Sequence, residues 1–344
     1  DAWVKKENYV GNGAYKLANH IINEKIEFER NPLYWNDKET VINSATFLAI
    51  ENPSTDVARY RAGDLDMTNY GLPPEQFAKL QKELPGEVYI TRTLATYSYE
   101  LNNKKAPFDN VNIRKALNLS LDRNVITDKV LGQGQTPTYV FTPTYIEEGH
   151  LIQQPAYSKE PMAQRNEEAI KLLEEAGYSK ANPLKFTILY NTNENHKKVA
   201  IAAASMWKAN TKGLIDVKLE NQEWKTYIDS RRAGRYDAAR AGWNADYNQA
   251  TTFGNYFLSN SSNNTAKYAN PEYDKAIAES YVATDAEGRA KAYAKAEEIL
   301  AKDYGIVPIF NYVNPRLVKP YVKGYSGKDP QDHIYLRNLY IIKH

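Results

Sequence analysis

Residues 184–221 read LKFTILYNTNENHKKVAIAAASMWKANTKGLIDVKLEN, and this stretch decides the fold class. LKFTILY (184–190) is a short apolar run suited to a buried strand, HKKVAIAAASMWKAN (196–210) is a helix, and IDVKLEN (215–221) is a second strand. Two parallel neighbours in a sheet need a crossover between them, which a helix between strands supplies. The alternation continues outward on both sides. NEEAIKLLEEAGY (166–178) is a helix closed at Gly177, EWKTYIDSRRAG (223–234) is another, and YDAARAGW (236–243) is the next strand. Two helices, about 271–283 and 286–303, precede the extended GIVPIFNYV (305–313). The middle of the chain is therefore expected to hold a largely parallel α/β sheet.

Toward the N-terminus, INEKIEFERN (22–31) alternates as a strand and YWND (34–37) turns the chain. NPSTDVARYRAGDLDM (52–67) offers Ser54 or Thr55 as an N-cap, Gly63 as a terminator, and a strand through Leu65 and Met67. Pro73–Pro74 start a helix that Pro85–Gly86 stop. Val88 to Leu101 is one long extended run. FDNVNIRKALNLSLDRNVITDKVLGQG (108–134) gives two helices, with Asp122 as a possible cap of the second and glycine at its end. No repeat or linker interrupts the chain, so any domain boundary falls inside a strand.

The chain has 344 residues, more than one comfortable core, so two lobes are expected. Its 44 basic and 42 acidic residues are intermixed, which leaves no polyelectrolyte term for nucleic acid. No apolar run approaches the ~18 residues of a membrane span. With no cysteine there is no disulfide, no thiol nucleophile and no Cys-ligated metal. The five histidines (20, 150, 196, 333, 344) include no helical His-x3-His pair, so no metal is expected. GYSG (324–327) lacks the glycine spacing of a nucleophile elbow. GNGAYK and GQG read as turns, and the Asp64/Asp66 pair lies beside a turn. An enzyme reading has little to stand on.

ARAGWNADYNQA (239–250) carries one arginine and one aspartate. Arg240 and Asp246 share a face if the chain stays extended, roughly 20 Å apart, too far to pair directly. Arg240 has the alternative of a neighbouring carboxylate, and Asp246 that of capping the turn NADYN. His196 reads equally as an N-cap or first-turn residue of its helix, and Trp224, which begins a helix, as core. Some of the 27 tyrosines are candidates to line a ligand site.

FERNPLYWND, DVARYRAGDLDM, APFDNVNIRKALNLSLDR, NEEAIKLLEEAGY, NQEWKTY, ARAGWNADYN and NPRLVKPYVKGY occur in one order along the whole chain. Together they resemble the peptide/nickel-type periplasmic solute-binding proteins that serve ABC importers, above all the oligopeptide receptors. The resemblance implies a two-lobed type II binding-protein fold of the peptide-binding class, α/β with mixed sheets. It also implies a chain lacking the family's N-terminal third, whether cleaved or absent. Lobe I would comprise 1–94 and 313–344, and lobe II 95–312, with crossing strands near Ala95 and Tyr312.

The implied function is non-catalytic, without cofactor or metal. A monomer in the periplasm captures short peptides of about 2–5 residues between its lobes and delivers them to an inner-membrane ABC permease. By resemblance Asp246 takes the peptide's α-ammonium, while Ala241, Gly242 and Asn244 lend backbone groups. Arg240 meets the carboxylate of a short peptide and His196 that of a longer one. Trp224, Arg231 and Tyr312 line side-chain pockets. Relatives carry a cysteine pair where this chain has Ala95 and Asn244, and some carry a lysine where Leu131 stands, to meet longer peptides. Receptors for murein tripeptide, dipeptide, haem or nickel are alternatives within the family. A carbohydrate-binding protein or glycosidase is the alternative outside it, and that chemistry needs a carboxylate pair the sequence does not offer.

Overall fold

In the computed structural model, which describes residues 2, 5–69 and 71–344, contacts divide the chain into two compact units. One is Asp1–Thr91 with Asn314–His344, the other Arg92–Val313. The strands in chain order are β1 (Tyr15–Ile21), β2 (Lys25–Arg30), β3 (Ser44–Leu48), β4 (Val88–Leu101), β5 (Thr136–Pro137), β6 (Leu184–Asn191), β7 (Ile215–Gln222), β8 (Ala238–Asn244), β9 (Ile306–Leu317), β10 (Val322–Lys323) and β11 (Tyr340–Ile341). The α-helices are α1 (Pro53–Ala62), α2 (Pro74–Glu83), α3 (Val111–Leu119), α4 (Met162–Glu175), α5 (Glu194–Asn210), α6 (Trp224–Arg232), α7 (Thr251–Gly254), α8 (Pro271–Val282) and α9 (Ala286–Lys302). No helix among the described residues is long and apolar enough to cross a membrane.

The first unit holds the antiparallel sheet β1-β2-β3. INEKIEFERN starts its strand only at Lys25, because the amide of Glu24 closes a turn onto the carbonyl of Ile21 and Asn23 sits at φ 60°. The cap of α1 is Asn52 rather than Ser54 or Thr55. Its side-chain oxygen accepts from the Ser54 amide at 2.8 Å, which moves the helix start to Pro53. Gly63 closes the helix at φ 89° as expected. The stretch through Leu65 and Met67 is no strand; Met67 makes a single bridge to Val318. Val57, Tyr60, Leu72, Phe77, Leu80 and Leu317 form this unit's core.

The second unit is built on a six-stranded sheet ordered β5-β9-β4-β8-β6-β7. The opening stretch is its βαβ element: β6 and β7 are parallel from Leu184↔Ile215 to Asn191↔Gln222, and α5 connects them. After α6 the chain returns to the other side of β6, where β8 also runs parallel. The sheet is nevertheless mixed, which corrects the expectation of a largely parallel one. β4 pairs antiparallel with β8, and β5 with β9. Only neighbours joined through a helical crossover are held parallel. β4 and β9 join no such crossover. Both also contain the breaks between units, at Thr91/Arg92 and Val313/Asn314.

The β4–β8 register places Ala95 opposite Asn244. The Ala245 amide donates to the Leu94 carbonyl at 2.8 Å, which makes Ala95–Asn244 the close, non-hydrogen-bonded kind of pair. Such Cα atoms lie about 4.5 Å apart, within disulfide reach. The double variant Ala95→Cys/Asn244→Cys is therefore expected to cross-link on mild oxidation. No other cysteine competes. Closing so long a loop should raise oxidised over reduced stability by about 2–4 kcal/mol. Free-thiol titration and paired urea curves test this; two persistent free thiols would refute the register.

Candidate functional site

β8 presents Arg240, Gly242 and Asn244 on one face by its two-residue period. Buried Ala239 and Ala241 turn the other way. The strand ends at Asn244, so the alternation does not carry to Asp246, which stands in a bend beyond it. That corrects the expectation that Arg240 and Asp246 share a strand face. Asp246 is exposed; its amide donates to Thr252 Oγ1 at 3.1 Å, and the same hydroxyl donates to Asp246 Oδ2 at 3.3 Å.

Neutral groups surround the Arg240 guanidinium. Nη2 donates to Tyr312 Oη at 2.5 Å and Nη1 to Asn191 Oδ1 at 3.4 Å, while the carbon lies 5.2 Å from the Tyr97 ring centre. Nε is buried with no partner. Among the described residues no carboxylate forms an ion pair with Arg240, so the bland alternative of a neighbouring acid does not hold. From α6, the Tyr227 hydroxyl donates to the carbonyl of Arg240 and fixes the strand behind it. Tyr97 itself stacks on Phe310 at 4.7 Å, and its hydroxyl and that of Tyr99 are buried. Gly242 lies directly against this cluster. A Cβ built there would come 3.0 Å from Arg240 Nη2 and 3.1 Å from Tyr312 Oη.

His196 belongs to the same neighbourhood. Asn193, not His196, caps α5, accepting from the amides of Asn195 at 2.9 Å and His196 at 3.1 Å. His196 is thus a first-turn residue, buried, with its ring 5.6 Å from that of Tyr97. Burial, and then the nearby Arg240 charge, hold its pKa well below the ordinary value. A histidine kept neutral by folding contributes stability above about pH 6.5, its unfolded value, that is lost as pH falls toward the lowered one. His196→Gln should therefore lose less stability than the wild type between pH 7 and pH 5. Urea midpoints at the two pH values measure it, and parallel losses would refute it.

The remaining candidates stand elsewhere. Trp224 begins α6 with 55% of its surface exposed, so it is not core; its ring lies 5.8 Å from Tyr227. Arg231, on the same helix, is turned inward: it pairs with Glu100 Oε2 at 2.9 Å and donates to Thr265 Oγ1 at 2.9 Å and Tyr256 Oη at 3.2 Å. Asn244 is exposed and Ala241 buried. Leu131 is buried in the hydrophobic core, so a lysine put there would begin among apolar side chains. The geometry thus gathers Arg240, Gly242, Tyr312 and His196, and adds Tyr97, Tyr99, Tyr227 and Asn191, which sequence reading did not single out. For two of these a signal existed: Tyr97 and Tyr99 alternate within the Val88–Leu101 run and so face one way.

The cluster is a half-buried cation walled by aromatic rings and hydroxyls, a setting that suits an anionic group with further hydrogen-bonding capacity. The family model for bacterial extracellular solute-binding proteins, family 5 (Middle), matches residues 1–265. The periplasmic oligopeptide-binding protein OppA of Haemophilus influenzae is 98% identical over all 344 residues, and that of Salmonella typhimurium 54%. These matches cover 100% of the chain but only 64% and 63% of the relatives' own lengths. The crystal structure of Haemophilus influenzae OppA in complex with RPPGFSPFR superimposes with a TM-score of 0.96 at 97% identity, covering 100% of this chain and 67% of that one.

Proposed function

Because the chain belongs to the bacterial extracellular solute-binding proteins of family 5, we propose that it binds peptides in the periplasm and delivers them to an inner-membrane ABC permease. It does so as a monomeric receptor rather than an enzyme. In this reading lobe I (1–94 with 313–344) closes on lobe II (95–312) around the ligand. The peptide lies extended along β8, where backbone groups of Ala241, Gly242 and Asn244 give affinity independent of side chains. Asp246 takes the α-ammonium. Arg240 takes the carboxylate of a short peptide and His196 that of a longer one, while Trp224, Arg231 and Tyr312 border side-chain pockets. Arg231 would do so with its charge already matched by Glu100.

The observation that carries the proposal is the half-buried Arg240 guanidinium, which has no ion-paired acid among the described residues. A ligand carboxylate supplies what that group lacks. Peptide length needs revision from about 2–5 residues. The near-identical Haemophilus protein was crystallised with a nine-residue peptide, and the buried Leu131 does not argue for a short limit. Calorimetry with a tripeptide, a nonapeptide and an oligosaccharide tests the reading. Both peptides should bind and the sugar should not; sugar binding without peptide binding would overturn it.

A further inference from the structure

We infer that Gly242 is a positioning residue for Arg240: its missing side chain leaves the slot in which the guanidinium meets Tyr312 and so sets the direction in which the guanidinium presents its charge to the ligand. This rests on the reading above, in which Arg240 receives a peptide carboxylate. The usual account of a glycine in a binding strand is that it admits another backbone or permits a left-handed turn. The second account fails here, because Gly242 does not sit at positive φ. An alanine is therefore compatible with the backbone, and any effect of the substitution comes from its methyl group alone.

That methyl has nowhere to go but into the cluster. Its atoms would stand 3.0 Å from Arg240 Nη2 and 3.1 Å from Tyr312 Oη, both tighter than ordinary contact, and 3.6 Å from Arg240 Cζ. Arg240 and Gly242 occupy the same face two residues apart, so the intrusion comes from the side. Asn191 at Nη1 and the Tyr97 ring limit retreat in other directions. The guanidinium rotates or shifts, and the Nη2–Tyr312 bond is lost or bent. Both groups that give way are ends of side chains, so the fold should survive. What changes is the direction in which the guanidinium points.

The test is the ratio of affinities for a tripeptide with a free C-terminal carboxylate and for the same tripeptide as its amide, by calorimetry on the wild type, Gly242→Ala and Tyr312→Phe. Loss of one charge-assisted contact should lower the free-acid affinity of Gly242→Ala about tenfold or more while the amide changes little. Tyr312→Phe removes the same hold without a methyl and should move the ratio in the same direction. If Gly242→Ala weakens acid and amide equally at unchanged melting temperature, Gly242 serves ligand backbone approach and the inference is overturned. If neither affinity changes, it is overturned as well. Should Gly242→Ala fail to fold, Tyr312→Phe decides, and an unchanged ratio refutes the positioning. A wild type that binds acid and amide alike defeats the carboxylate role of Arg240 itself, a failure visible before any variant is made.

Discussion

Replacing Arg231 with methionine should lower the stability of the protein by about 3–5 kcal/mol, the cost of leaving a buried charge without its partner. Glu100 is fully buried, and Arg231 keeps only 9% of its side chain exposed. The carboxylate accepts from Tyr256 Oη at 2.7 Å and from the Thr265 hydroxyl, and pairs with the guanidinium at 2.9 Å. Without the arginine, two hydroxyls remain for an anion removed from water, and neutral donors do not balance a full charge. Glu100 lies on β4, Arg231 on α6, and Tyr256 and Thr265 in the segment after β8, so the pair ties three stretches of chain. The double variant Glu100→Met/Arg231→Met should recover most of the loss, since an apolar replacement leaves no orphan charge. Urea midpoints of the single and double variants measure both. A loss below about 1 kcal/mol for Arg231→Met, the range of an exposed pair, would show the pair to be dispensable and the arginine free for a ligand.

How far the sequence reveals this molecule depends on how local each signal is. β6, α5 and β7 are legible because an apolar run, a capped helix and an alternating strand each announce themselves within a dozen residues. β4 is legible over Val88–Leu101 for the same reason. β1 is not: Tyr15–Ile21 has one buried residue, Leu17, and follows a Gly-Asn-Gly that reads as a turn. Strand direction is not local either. Nothing within β4 tells that it runs against β8, and the sheet is mixed for that reason. At the site, Arg240 stands out as a charge among small residues. Its surroundings cannot be read from its neighbours, because Asn191, Tyr97, Tyr227 and Tyr312 come from four other elements that only the sheet and α6 assemble. Asp246 is legible as a residue but not as a position, since the strand that should have carried it ends two residues earlier.

Asp246→Ala should abolish binding of peptides with a free α-amine, a loss of at least ~2–5 kcal/mol as for one partner of a charge pair desolvated on binding. Two roles compete for this carboxylate, and they separate cleanly. As a cap it accepts from Thr252 Oγ1, and that hydroxyl in turn accepts from the Asp246 amide. Losing the cap removes one part-buried hydrogen bond, about 0.5–1.5 kcal/mol of stability, with no effect on ligand that depends on its terminus. As the ammonium receptor it contributes only when ligand covers it, and the penalty then falls on peptides whose amine is charged. Thr252→Val distinguishes the two, because it removes the hydroxyl that makes the cap bond, and with it the acceptor of Trp243 Nε1 and of the Asp246 amide, and leaves the carboxylate in place. It should lower stability more than Asp246→Ala does, since two donors lose their acceptor, and keep free-amine peptides bound. N-acetylated peptides, which bring no charge to Asp246, should bind the wild type weakly and be indifferent to Asp246→Ala. Equal calorimetric affinity of the wild type for a free and an acetylated tripeptide would leave the cap as the aspartate's whole role, because a buried charge pair cannot form and contribute nothing to the discrimination between its charged and neutral partner.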